Sequence, residues 1–382
     1  MKVVGPWLTR AATQTACAML TEAGYQALLV GGCVRNALLG APVSDIDIAT
    51  DARPDVVLKL AKAAGLRAIP TGIDHGTVTV VIDNIPHEIT TFRKDVETDG
   101  RRAVVAFATD VAEDARRRDF TMNALYAQAD GTVVDPLGGL ADLRARRLRF
   151  IDDAEDRIRE DYLRILRYFR FHAWYGDPSA GMDPEALAAI AAHSAGLETL
   201  SKERIGAELL KLLAAADPAP ALATMRQTGV LPVILPGSDD KSLASLVHLE
   251  AISGLPSDAL TRLAALGGMG AAEDLRLSKK QTAKLEELRG AATGLRPASE
   301  LGYRIGAAAA QQALLLRAAL LETPLHAGFQ QDAVRGADAH FPVAAADLMP
   351  RFQGAALGQE LRRLEQQWIA SDFRLSADDL LK

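Results

Sequence analysis

The apolar run Ala27-Leu28-Leu29-Val30 stops at Gly31-Gly32, and Val34 and Arg35 follow closely. That order calls for a short buried strand ending in a turn whose bare backbone can lie against another group. Arg35 adds charge there, and N–H groups opening a helix favour anions, so the segment suits phosphate. A little further on stands Asp45-Ile46-Asp47-Ile48. Carboxylates at i and i+2 of a strand share one face and can hold divalent cations together, while Ile46 and Ile48 pack on the other. Alone, a glycine pair is an ordinary turn and an Asp-x-Asp a solvated strand end. Together, in this order, they point to nucleotidyl transfer.

The chain has ample material for packed cores. Its 382 residues suit two or three domains, with 49% apolar and 24% charged residues. Cys17 and Cys33 are too few for a disulfide framework and fit a reducing compartment. No basic segment followed by an apolar stretch opens the chain, and no apolar run reaches bilayer length, so a cytoplasmic protein without a membrane partner is expected. A net charge of -6 argues against a nucleic-acid partner only on average. Fourteen arginines crowd residues 101–170, enough for local polyanion binding. Glu113, Asp114, Asp142, Asp153 and Glu155 are interleaved with them, and ion pairs with such acids account for about half of the arginines.

Periodicity predicts a helix over residues 1–26. Strands follow at Ala27–Val30, Asp45–Ile48, Val78–Ile82, Glu88–Thr91 and Val104–Phe107, with a helix at Pro54–Ala64 that has Asp51 near its start and Gly65 just past its end. Beyond Asp152 only helical patterns remain. The chain is therefore an α/β head followed by an all-helical extension. Val133 to Leu143, with Pro136, Gly138 and Gly139, forms the joint, and Asp142 there caps a helix or pairs with arginine.

Two more segments carry chemistry. Arg116 to Ala124 has Phe120, Ala124 and Leu125 spaced to bury a helical face. Arg118 can hold triphosphate or ribose there and Asn123 can bond sugar hydroxyls; the plainer alternative is a basic helix start pairing with Glu113 and Asp114. Glu160 to Phe171 reads as one helix on which Asp161 and Arg164, three apart, are neighbours. A carboxylate acceptor beside a guanidinium donor matches the amino and ring-nitrogen edge of cytosine and of adenine, and clashes with uracil and guanine. A helix laced with Glu160–Arg164 and Asp161–Arg164 ion pairs is the alternative.

The set Gly31-Gly32-x-Val34-Arg35, Asp45-x-Asp47, Arg117-Arg118-Asp119-Phe120-Thr121, Glu160-Asp161-x-x-Arg164-x-x-Arg167 and Ser201-Lys202-Glu203-Arg204-Ile205 through Glu208 resembles the class II tRNA nucleotidyltransferases, which add CCA to tRNA 3′ ends, and the related bacterial poly(A) polymerases. The resemblance implies an α/β (α+β) polymerase-β-like nucleotidyltransferase head at 1–148, then an all-α neck (149–212), body (213–300) and tRNA-binding tail (301–382). It implies tRNA, CTP and ATP as partners, no obligate protein partner, and Mg2+ bound by Asp45 and Asp47. Glu88, on the strand Glu88-Ile89-Thr90 and near an Arg93 able to pair with it, reads as a third carboxylate. Gly31, Gly32, Arg35, Arg118 and Asn123 would meet the nucleotide's triphosphate or ribose, and Asp161 and Arg164 its base, with Arg167 and Arg170 nearby. Asn36 departs from the family's usual Asp.

Gly72-Ile73-Asp74-His75-Gly76-Thr77 resembles the CCA-adding branch, and Arg93 to Ala108, with Thr98-Asp99-Gly100, has the length of the flexible loop of full CCA-adding enzymes. No His-Asp doublet marks an appended metal phosphohydrolase domain. A poly(A) polymerase is the enzymatic alternative, and a non-catalytic RNA-binding protein of this fold is the other.

Overall fold

A computed structural model describes residues 1–99 and 102–382. Gly100, part of the expected loop, and Arg101 lie outside the described residues. The head is built on strands β1 (Leu28–Val30), β2 (Asp47–Thr50), β3 (Arg67–Gly72), β4 (Thr77–Ile82), β5 (Ile85–Thr91), β6 (Arg93–Asp99), β7 (Arg102–Phe107), β8 (Tyr126–Ala127) and β9 (Val133–Val134). The main sheet runs β3-β4-β5-β2-β1-β8-β9, while β6 and β7 form a separate antiparallel ribbon where a loop is expected. Only β2 and β5 pair in parallel within the main sheet. The helices Ala11–Thr21 and Pro54–Ala63 lie on this sheet, and Leu29, Ile48, Val78, Val80 and Ile89 are fully buried in it. Leu28, Val30, Ala49, Phe92 and Tyr126 build a second core with Ala115 and Ile151.

Past Asp152 every element of the described residues is a helix, and the one bridge among them joins Ser238 and Gly267. The chain divides into two compact units, Met1–Glu208 with Thr224–Ile234, and Leu209–Ala223 with Leu235–Lys382. Within the second, helices Ala298–Ile305 and Phe329–Ala337 approach so closely that a Cβ on Gly336 would sit 1.8 Å from the Ser299 carbonyl oxygen. Arg262, buried in the same unit, gives its N–H groups to Glu250 and to the Leu213 and Ala215 carbonyls, so its charge is fully answered.

Several expected elements differ for local reasons. The single helix over 1–26 is two, Pro6–Thr9 and Ala11–Thr21, parted at an extended Arg10. Asp51 does not cap the helix Pro54–Ala63, because its carboxylate accepts the backbone N–H of Gln26 at 2.7 Å. Asp45 stands before β2 rather than in it, accepting the Ser44 hydroxyl at 3.0 Å. The helix expected over 116–124 ends at Arg116, and Thr121–Asn123 forms a single 3-10 turn. There the Asp119 carboxylate accepts the Phe120 N–H at 2.9 Å, a local bond that competes with helix formation. The helix expected over 160–171 breaks similarly, as Asp161 is extended and accepts the Leu163 N–H, and the new helix runs Leu163–Tyr175. Asp142 pairs with Arg149 at 2.8 Å and receives the Thr121 hydroxyl at 2.7 Å.

That last contact makes Gly139 sensitive. A Cβ there would lie 2.2 Å from the Thr121 carbonyl oxygen. Gly139→Ala should lower the unfolding free energy by about 1–3 kcal/mol, measured as an earlier thermal midpoint; an unchanged midpoint would show that the two backbones can separate freely.

Candidate active site

Strand register brings the two leading motifs together. Leu29 pairs with Ile48, so the next step sets Val30 opposite Asp47 and lets the Gly31-Gly32 turn leave the sheet beside that acid. Gly31 has φ 69° and ψ −119°, a conformation that favours glycine. A Cβ on Gly31 would lie 3.5 Å from Nη1 of Arg118, and one on Gly32 would lie 3.8 Å from Nη2 of Arg35. The helix Gly32–Leu39 opens at the same turn with no side-chain cap. Its first N–H groups and two guanidinium groups therefore surround one glycine turn, an arrangement suited to phosphate oxygens.

Both guanidinium groups are held by protein partners. Arg35, 6% exposed, donates from Nη1 to Asn123 Oδ1 (2.6 Å) and from Nη2 to the Tyr175 hydroxyl (2.9 Å), and its guanidinium lies 4.0 Å from the Tyr175 ring centre. Burial lowers its pKa, and the Tyr175 hydroxyl opposes that. Arg118 donates to Asp114 (3.0 Å) and to the Tyr126 hydroxyl (3.0 Å), and Tyr126 itself donates to Asp114 (2.8 Å). Burial works against this charge too, but Tyr126 and Asp114 outweigh it and raise the Arg118 pKa. Asn123 passes the network on by donating to Asp119 (2.9 Å), and Arg167 donates to the other oxygen of Asp119 (2.7 Å). Arg167 thus faces the head rather than open solvent. Asp119 stays well below the usual carboxylate range: burial alone would raise it, and Arg167 and Asn123 override that.

The acids lie across the sheet. Asp47 and Glu88 are register partners on the parallel strands β2 and β5, about 4.8 Å apart along the backbone and pointing to the same face. The Asp47 carboxyl is pushed up to about 6 by burial and then by the charge of Glu88, with Arg118 opposing and Asp45 adding to the rise. This is an excess of negative charge, and carboxylate oxygens are the donors a hard divalent cation takes. Among the described residues no three His, Cys, Asp or Glu side chains converge into a ready-made metal cage. The donor set fits a cation held by one or two carboxylates and completed by phosphate oxygens. Arg93, expected beside Glu88, donates to the His75 carbonyl (2.7 Å).

Asp161 and Arg164 are joined through the main chain, the Arg164 N–H donating to the Asp161 carbonyl at 3.0 Å, while their side chains take other partners. Arg164 donates to Glu160 and to the Arg157 (2.8 Å) and Arg117 (3.1 Å) carbonyls. These bonds occupy three of its five N–H groups and fix the fork while leaving donors for another group. Asp161 accepts Arg204 at 2.8 Å, and Arg170 donates to Glu208 at 2.6 Å while lying over the Phe171 ring. The motif Ser201 to Glu208 thereby supplies partners for the two flanking residues. Tyr175 and Tyr126 escaped sequence reasoning, whereas Asp114 is the acid expected to pair with this basic segment and does pair with Arg118. Only Tyr175 left a signal there, an aromatic four residues after Phe171 on the same helical face.

Residues 27–149 match the Poly A polymerase head domain family, and residues 181–241 match the family described as a probable RNA and SrmB-binding site of polymerase A. The chain is 33% identical over 378 residues to the mitochondrial CCA tRNA nucleotidyltransferase 1 of Mus musculus, a match covering 95% of this chain and 87% of that protein. It is 46% identical over 200 residues to the CCA-adding enzyme of Streptococcus pyogenes, which spans 51% of this chain and 48% of that one. Among solved structures, the Bacillus stearothermophilus CCA-adding enzyme in complex with CTP superimposes with a TM-score of 0.75 at 28% identity, covering 94% of this chain and 93% of its own.

The raised Asp47 carboxyl has a measurable sign. Without metal, the folded protein keeps this proton up to about pH 6, whereas the unfolded chain loses it near 3.8. The folded state binds more protons in between, so this group's contribution to stability falls as pH rises through that window. In chelator-treated protein at about pH 7.5, Asp47→Asn should melt later than the parent and show a flatter pH profile. An earlier melting variant would contradict the crowding of Asp47 by Glu88 and Asp45.

Proposed function

This chain belongs to the family of CCA-adding tRNA nucleotidyltransferases, and from that premise we propose that it adds CCA to the 3′ end of tRNA from CTP and ATP, without a template and with release of pyrophosphate. The observation that supports this most is the meeting, at one sheet end, of the acids Asp45, Asp47 and Glu88 with a glycine turn flanked by Arg35 and Arg118. Enzymes of this family use a divalent metal; here we assign Mg2+ to Asp45 and Asp47, with Glu88 as third carboxylate. Bound there, it supplies the positive charge that eases deprotonation of the tRNA 3′-hydroxyl and offsets charge on the departing pyrophosphate.

The protein's own part is positioning. Arg35 and Arg118, with the backbone N–H groups of the Gly31-Gly32 turn, hold the triphosphate so that the α-phosphate faces the acids, and Asn123 meets the ribose. In-line displacement needs little else, and no covalent intermediate forms. The remaining donors of Arg164 and the carboxylate of Asp161 take the base. Cytosine and adenine both present an amino donor beside a ring-nitrogen acceptor and are accepted, whereas uracil and guanine present the reverse. For Asp161 this requires sharing or leaving Arg204. Arg167 and Arg170 shape the wall of that pocket through Asp119 and Glu208.

The same assignment divides the chain into the head (1–148), the neck (149–212), and the body (213–300) and tail (301–382) that hold tRNA. It also sets the protein in the cytoplasm, which two buried, unbridged cysteines suit. No described helix is long and apolar enough to cross a membrane.

One assay tests the reading. Given tRNA lacking its 3′ CCA and labelled nucleotides singly and in pairs, the chain should add two C residues from CTP and a terminal A once ATP is present. Long A tails would make it a poly(A) polymerase, and tight tRNA binding without incorporation a binding protein. Asp45→Ala should abolish incorporation even at saturating magnesium. Asp161→Ala should cost CTP and ATP roughly 1–3 kcal/mol of transition-state stabilisation while UTP and GTP gain relative to them; an equal loss for all four nucleotides would mean that Asp161 only supports the helix start.

A further inference from the structure

Asn36 stands one residue beyond Arg35. Its amide oxygen accepts both Nε (3.1 Å) and Nη2 (2.8 Å) of Arg35. Its amide nitrogen donates to the Pro42 carbonyl at 2.8 Å. The two contacts settle the orientation of the amide: guanidinium offers donors only and a backbone carbonyl acceptors only, so a flipped amide would lose both. The main chain repeats the link, since the Ala41 N–H donates to the Asn36 carbonyl at 2.8 Å just after Gly40 closes the helix in the left-handed region. Three residues beyond Pro42 lies Asp45.

We propose that Asn36 is a positioning residue whose side-chain amide ties the guanidinium of Arg35 to the segment Ala41–Ser44, holding the approach to Asp45 and Asp47 in register with the phosphate site. A carboxylate at this position could keep the Arg35 contact but could not donate to Pro42; it would set its lone pairs against that carbonyl. The neutral amide therefore does two jobs that a carboxylate cannot do together. The action of Asn36 runs through Arg35 and the backbone. The catalytic half of this inference rests on the functional reading above, while the structural half does not.

The test separates the two halves. Hydrogen–deuterium exchange is measured on the full chain free of metal and nucleotide, comparing the parent with Asn36→Asp and Asn36→Ala. Both variants should exchange the amides of residues 41–46 about three- to tenfold faster, the loss expected for one hydrogen bond, while the amides of β1 and β5 stay unchanged. In CTP incorporation, Asn36→Asp should keep KM within about twofold, because Arg35 retains its acceptor, and lower kcat about three- to tenfold. Asn36→Ala should raise KM as well. Unaltered exchange in Asn36→Asp would overturn the tie, and faster exchange with kcat unchanged would overturn its role in placing the acids. A chain that incorporates no nucleotide would sink the functional reading, yet the exchange arm would still report on the tie.

Discussion

The carboxylate of Asp119 is the group on which the site depends. It is 7% exposed, and burying a charge costs several kcal/mol unless partners answer it. Here Arg167 and Asn123 take its two oxygens, and the Phe120 N–H adds a third bond. Asn123 then holds Arg35, which stacks on Tyr175 of the helix Leu163–Tyr175, and Arg167 stands on that same helix. The loop closes on itself, from the head's glycine turn through Asp119 to the helix that carries Arg164 and back through Tyr175. Removing Asp119 would leave the half-buried Arg167 guanidinium and the buried Asn123 amide without their acceptor, so the constraint is both electrostatic and geometric.

A second consequence is that the cationic side chains are set before any substrate arrives. Arg118 is fixed by Asp114 and Tyr126, Arg164 by Glu160 and two carbonyls, and Arg170 by Glu208. Partners that occupy part of each fork reduce the rotamer entropy lost on binding and still leave N–H groups to offer. The cost falls on the acids, where Asp47 and Glu88 stand as register partners with Asp45 close by. Crowding of this kind, relieved by a proton on Asp47 or by an arriving cation, is what perturbed carboxylates at functional sites show.

Much of this was legible in the sequence, and the failures share a cause. The glycine turn, the alternation of Asp47 with Ile48, and the switch to helices after Asp152 follow from spacing alone, because strand and helix periods differ. Helical spacing misled at Asp119 and Asp161. In both places the apolar pattern continues through the residue, and Phe120, Ala124, Leu125, Leu163 and Leu166 are indeed buried, but an aspartate side chain captures a nearby N–H and ends the helix. Periodicity reports burial, not backbone hydrogen bonding. Asp45 fell outside β2 because a strand extends only as far as its neighbours pair. Long-range partners such as Tyr175 for Arg35 and Arg204 for Asp161 have separations that no local pattern encodes.

If Asp119 couples the phosphate site to the base site, the coupling must appear as non-additivity. The direct measurement is equilibrium CTP binding to the parent chain, Arg35→Ala, Arg167→Ala and the double variant, with circular dichroism confirming that each is folded. Arg167 is linked to Arg35 through Asp119 and Asn123, and both guanidinium groups also lie over the Phe171 ring, so the account predicts an interaction free energy above about 0.5 kcal/mol, the scatter within which independent sites add. Strict additivity within that margin would show that the two guanidinium groups act separately and would contradict the central role given to Asp119.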